Sequence, residues 1–232
     1  MDLTDPTMSR PAAVLHRRHV LRTMAGAAAA ALAGGAGVAG AAATPGRQAQ
    51  PVPATRDLVV VGANPGLQLF DGDAVTAYAS TWRVDWSPLG RGTALILWRD
   101  GAVHVYGADP ELATWLEREF VRFFPEVAGL PWPDPVVVRT PVRLENDLAT
   151  GMTARAHGVR VHMSDVLDRR TFATDDFPLG EVTHSLSLVL APCGAGTITV
   201  DGYRVPGEIQ RGGTPDRPGS SAFTTEAEVW KR

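Results

Sequence analysis

Hydrophobic and polar positions change period along this chain. Thr76, Tyr78, Ser80, Trp82, Val84 and Trp86 alternate with Ala77, Ala79, Thr81, Arg83 and Asp85, which is the two-residue period of a strand with one largely aromatic face. Upstream, Leu58-Val59-Val60-Val61 is a β-branched run halted by the turn residues Gly62 to Gly66. Downstream, Ala94 to Trp98 and Ala102 to Tyr106 flank Arg99-Asp100-Gly101. A type I′ loop at Asp100-Gly101 pairs Arg99 with Ala102, Trp98 with Val103, Leu97 with His104 and Ile96 with Val105. The first arm is apolar on both faces, which places it centrally in its sheet.

The period then lengthens to that of a helix. Asp109 as N-cap, Pro110 at the first helical position and Glu111 in the first turn open a helix predicted over about residues 109–124. Leu112, Trp115, Leu116, Phe120, Phe123 and Phe124 form its apolar stripe, with Glu111, Thr114, Glu117, Arg118 and Arg122 off it, and Pro125 stops it. A stiff connector, Gly129 to Pro135, leads to a second half that reads as strands: 136–140, 142–148, 153–157, 159–163, 183–190, 196–200, 203–205 and 222–230. Asp201-Gly202 is a second type I′ signal. Ser164 to Gly180 lacks a period, and Glu208 to Ser221 is rich in Gly and Pro; both read as loops. The fold class is therefore α+β: mainly antiparallel β-sheet, with one principal amphipathic helix packed on a sheet.

The first 43 residues differ from the rest. Asp2 and Asp5 stand against Arg10, Arg17, Arg18 and Arg22, and the uncharged Ala/Gly-rich run Thr23 to Gly46 follows. His16-Arg17-Arg18-His19-Val20-Leu21-Arg22 resembles the twin-arginine export motif, with Val20 where phenylalanine is more usual, and Ala41 and Ala43 supply a small-residue cleavage site. The resemblance implies export by the twin-arginine machinery and a secreted or extracytoplasmic protein. The run is too weakly apolar for a stable transmembrane anchor. Residues 44–56, with Pro45, Pro51 and Pro53, read as a linker, and 57–232 as one globular domain, divisible into an α/β half (57–132) and an all-β half (136–232).

Composition removes several functions. The net charge of -3, with no block of five like charges, speaks against nucleic acid as a partner. A single cysteine, Cys193, excludes an internal disulfide framework and four-thiolate metal sites. It lies between Pro192 and Gly194 and reads as an apolar filler in a turn. There is no G-x-S-x-G elbow, no P-loop and no H-E-x-x-H helix. His157 and His162 are five apart, so a continuous strand sends them to opposite faces, and unless Gly158 bends or bulges the chain no joint metal site is expected. The catalytic candidates are His184 and His162, with Asp165, Asp168, Asp175 and Asp176 from the stretch between their strands. His184 shares a strand face with Leu186, Leu188 and Leu190.

Three functions remain, and the export of already folded proteins by the twin-arginine route permits a cofactor, of unknown identity, without requiring one. The leading one is an exported, non-catalytic protein that binds a small molecule or a cell-envelope component; the second is an exported hydrolase or lyase using a His/Asp acid-base pair; the third is a structural or interaction domain. Catalysis requires an imidazole bonded to a carboxylate at the floor of a cleft, binding an apolar cavity without that pair, and the third an exposed apolar patch.

Overall fold

Two-residue Asp-Gly loops set the strand registers. The computed structural model describes residues 57–231. The export segment with Arg17 and Arg18, its cleavage site and the linker 44–56 lie outside the described residues. In chain order the elements are β1 (Asp57–Ala63), β2 (Gly66–Asp71), β3 (Ala74–Trp86), β4 (Gly92–Arg99), β5 (Ala102–Gly107), α1 (Pro110–Glu119), β6 (Val136–Arg139), β7 (Arg143–Asp147), β8 (Gly151–Ala156), β9 (Val159–Val166), β10 (Arg170–Leu179), β11 (Val182–Val200), β12 (Tyr203–Arg204), β13 (Arg211–Thr214), β14 (Arg217–Ser220) and β15 (Ala222–Lys231). Asp100 and Gly101 have φ of 53° and 75°, as a type I′ loop demands, and all four expected cross-strand pairs of the β4–β5 hairpin are present. Asp201 and Gly202 make the same kind of turn at 52° and 84°.

The main sheet runs β6-β5-β4-β3-β1-β15 and on to β11, so β4 is flanked on both sides. The sheet is mixed: β5 and β6 run parallel, and the other pairings are antiparallel. β11 joins two sheet regions. Its residues up to Pro192 pair with β15, and those from Cys193 onward pair with β9, which continues into β8 and β7. Proline has no N–H to give a ladder, so Pro192 is a natural place for the change of partner.

Each face of the main sheet carries its own core. Tyr78, Trp82, Ile96, Trp98, Val103 and Val105 pack with Leu112, Leu116 and Phe120 of the helical side. The opposite face, with Leu67, Leu69, Ala79, Leu95 and Leu97, packs on Met152, Ala154, Val161, Met163 and Ile198 of the β7–β9 region. The result is helix, sheet and sheet in three layers. Among the described residues no helix is long and apolar enough to cross a membrane.

Several expectations need correction. The helix begins as read, with the Asp109 carboxylate accepting from the Glu111 and Leu112 N–H groups at 2.9 and 3.2 Å. It ends at Glu119 rather than near 124, because Phe120 leaves helical geometry (φ -127°, ψ -69°) and two 3-10 turns follow, Val121–Phe123 and Pro125–Val127. Phe120 thereby seats its ring against Trp82 and Trp115, with centroids 5.5 and 5.2 Å apart, while Phe123 turns outward. Glu117, expected off the stripe, is fully buried, because the departing chain brings Arg122 and Trp132 over it. The segment 164–180 is no loop: β9 runs to Val166 and β10 is an edge strand. Cys193 lies within β11, not in a turn, and part of 208–221 forms the β13–β14 hairpin. His157 is not in a strand with His162 but forms, with Gly158, the positive-φ turn between β8 and β9.

Candidate functional site

A cavity of about 500 Å³ lies on the helical face of the main sheet. Its floor is made by residues at alternate positions along three adjacent strands: Val60 and Gly62 of β1, with Asn64 just beyond its end; Phe223, Thr225, Ala227 and Val229 of β15; Leu186 and Leu188 of β11. One wall is the run after α1, from Phe120 through Phe123, Phe124 and Pro125 to Glu126. The other is β10, whose bulge between Thr174 and Phe177 allows both Asp176 and Phe177 to line the space beside Phe172. The walls meet at one end, where the Phe123 ring lies against Gly180 in the β10–β11 turn. Gly180 has φ of 61°, and a Cβ there would sit 3.2 Å from that ring. Gly62 is required for a different reason: a side chain on it would collide with the Arg83 carbonyl of β3.

The lining is apolar and aromatic, with Trp82 and six phenylalanines. Its polar groups are few. Asn64 is fixed by its side-chain amide, which donates to Ser80 Oγ at 2.9 Å and the Thr81 carbonyl at 3.0 Å, while its backbone N–H donates to Thr225 Oγ1 at 3.1 Å. Glu126 is half-buried, and its backbone carbonyl accepts from Gln68 Nε2 at 2.7 Å, which ties the 3-10 turn to β2. Burial pushes the Glu126 carboxyl above its ordinary range, against the opposing pull of its own backbone N–H. Burial first, and the Glu126 charge second, hold the Tyr78 phenol well above its usual value despite a hydrogen bond with Ser80. Asp176 is exposed at the cavity's edge, and its backbone N–H donates to Thr174 Oγ1 at 3.1 Å.

The structure scatters most of the sequence-predicted candidates. His184 and His162 do not line the cavity. His184 is 9% exposed, and its Nδ1 meets the Val182 carbonyl at 3.1 Å. Burial lowers its pKa, Lys231 adds to that, and the Val182 carbonyl opposes it. His162 pairs across from Thr197 on β11 and bonds Thr153 Oγ1 at 3.0 Å. Residue 184 and residue 197 are separated by roughly 40 Å of strand path at ~3.3 Å per residue, so the two imidazoles serve different sheet regions. Asp165 contacts Arg211 at 3.4 Å, Asp168 pairs with Arg170 at 2.7 Å, and Asp175 accepts from Ser185 Oγ at 2.9 Å. Asp176 alone of the named candidates reaches the cavity. Among the described residues no group of three or more His, Cys, Asp or Glu side chains could hold a metal ion.

Glu126 was missed by sequence reasoning, and its only signal was its place just after Pro125, where the predicted helix must stop. No protein-family model, no curated protein and no solved structure matches this chain.

Proposed function

We propose that this chain is an exported, non-catalytic binding protein that holds an apolar small molecule in the cavity between the 3-10 turns and β10. The observation that carries the reading is the cavity itself: about 500 Å³, within the ordinary range for small-molecule sites of roughly 300 to 1,000 Å³, with an aromatic lining and few polar groups. Among the described residues its lining contains neither imidazole nor thiol, so no nucleophile paired with an imidazole base is assembled there. The motif around Arg17 and Arg18 supports export.

Titration with N-phenyl-1-naphthylamine, whose emission rises on leaving water, tests the reading. Saturable binding of one probe per chain is expected. Ala227→Phe places a ring in the cavity and should abolish that binding while the denaturation midpoint stays within experimental error or rises. Absence of saturable binding, or equal binding by Ala227→Phe, refutes the proposal.

A further inference from the structure

The charge inventory of the cavity narrows the ligand. Among the described residues two ionisable side chains line it, Glu126 and Asp176, and both are acids; no Lys, Arg or His is among the described lining residues. A fatty acid or other apolar carboxylate would bring a negative charge into this site with no counter-charge to receive it. Glu126 itself is poorly compensated. The donor acting on its carboxylate is its own backbone N–H, and no side chain among the described residues forms an ion pair or hydrogen bond with it. Nearby Arg122 is committed elsewhere, to Glu117. Glu117 shows how this chain treats a buried carboxylate that needs no ligand: it receives a forked guanidinium and an indole N–H. The aromatic rings add a second attraction for positive charge, since their faces are electron-rich.

We infer that the cavity is selective for an apolar molecule carrying one positive charge, a hydrophobic ammonium whose cation sits at Glu126 and whose body lies among Trp82, Phe120, Phe124 and Phe223. The inference rests on the binding reading above and specifies its ligand class. An ammonium group beside Glu126 supplies the missing counter-charge and returns its carboxyl toward the ordinary range. Asp176 is exposed, so its charge is screened by water and contributes little to the choice.

Calorimetric titration of the full chain with decyltrimethylammonium, 1-decanol and decanoate, each below its micelle threshold, separates the outcomes. Decyltrimethylammonium is expected to bind at least tenfold more tightly than decanol, about 1.4 kcal/mol, with decanoate the weakest. Glu126→Gln should bring the cation level with decanol, with an unchanged urea midpoint showing that the variant is folded. Asp176→Asn should keep the preference. Decanoate binding as tightly as the cation, a preference that survives Glu126→Gln, or one that disappears instead in Asp176→Asn overturns the inference. Decanol binding without any cation preference removes the inference alone; failure of all three ligands removes the binding reading as well.

Discussion

Arg122→Ala is the most informative perturbation of the wall that shapes the cavity. Arg122 grips Glu117 through Nη2 at 2.9 and 3.0 Å and Nε at 3.1 Å, and Trp132 Nε1 adds a fourth contact at 2.8 Å. The Glu117 side chain is 1% exposed and that of Arg122 34%. Removing one partner of a buried pair typically costs about 3 to 5 kcal/mol because the other charge is left without compensation. Here Trp132 keeps one donor in place, and the open side of Arg122 lets water approach, so the lower end applies: about 3 kcal/mol. At ~2 to 4 °C per kcal/mol for a domain of this size, that is a fall in Tm of about 6 to 12 °C. Urea denaturation followed by tryptophan fluorescence measures the free-energy loss, and thermal unfolding the fall in Tm. The double substitution Glu117→Met with Arg122→Leu removes both charges and should recover most of the loss. The run from Phe120 to Glu126 contains Arg122, so the single variant should also weaken naphthylamine binding. A loss below ~1 kcal/mol for Arg122→Ala, or a double variant worse than the single one, would refute the assignment of Glu117 as a buried, clamped carboxylate.

Three further outcomes are expected. Burial pushes the Cys193 thiol up to about 11, so at pH 8 an aromatic disulfide reagent should leave the native protein unlabelled and titrate one thiol in urea; stoichiometric native labelling would place Cys193 at the surface. His184 is held below its ordinary value, so the unfolded chain takes up its proton first as the medium is acidified. Stability is then whole above pH ~6.5 and declines as pH falls through that value toward the folded pKa, a slope that His184→Gln should reduce; an imidazole titrating at or above ~6.5 by NMR contradicts this. For the proposed export, Arg17→Lys with Arg18→Lys should retain the precursor in the cytoplasm, since two ammonium groups do not reproduce the planar forks of paired guanidinium groups; normal secretion of the variant would remove the proposal.

Local chemistry was legible and long-range assembly was not. Asp100-Gly101 and Asp201-Gly202 fix hairpin registers within a few residues of themselves, and Asp109-Pro110 fixes a helix start, so each could be read from its own neighbourhood. The two-sided apolar run Ala94 to Trp98 likewise revealed a central strand. β10 was hidden because an edge strand tolerates Asp175 and Asp176 on its exposed flank, and charge at an edge resembles a solvated loop. The single strand across Pro192 was hidden because a proline ordinarily ends a ladder; here it coincides with a change of partner. The early end of the helix depended on the ring contacts of Phe120 with Trp82, 38 positions upstream, which helical periodicity does not report. The cavity was less visible still, because β1, β10, β11, β15 and the turn at Glu126 come together only in three dimensions.

The position of β15 bears on when this protein can fold. It lies between β1 and β11, inside the main sheet, yet every other described strand precedes it in the chain. While the chain is still emerging from the ribosome, β1 and β11 each present an unpaired ladder edge, and the cavity floor lacks its middle strand. Pairing Asp57 with Lys231 closes almost the whole described length in one contact, the kind of long-range step that slows folding and prolongs exposure of sticky edges. Residues 57–221 alone should therefore accumulate as an aggregation-prone intermediate, and a nascent chain would need a holding chaperone until β15 is free to insert.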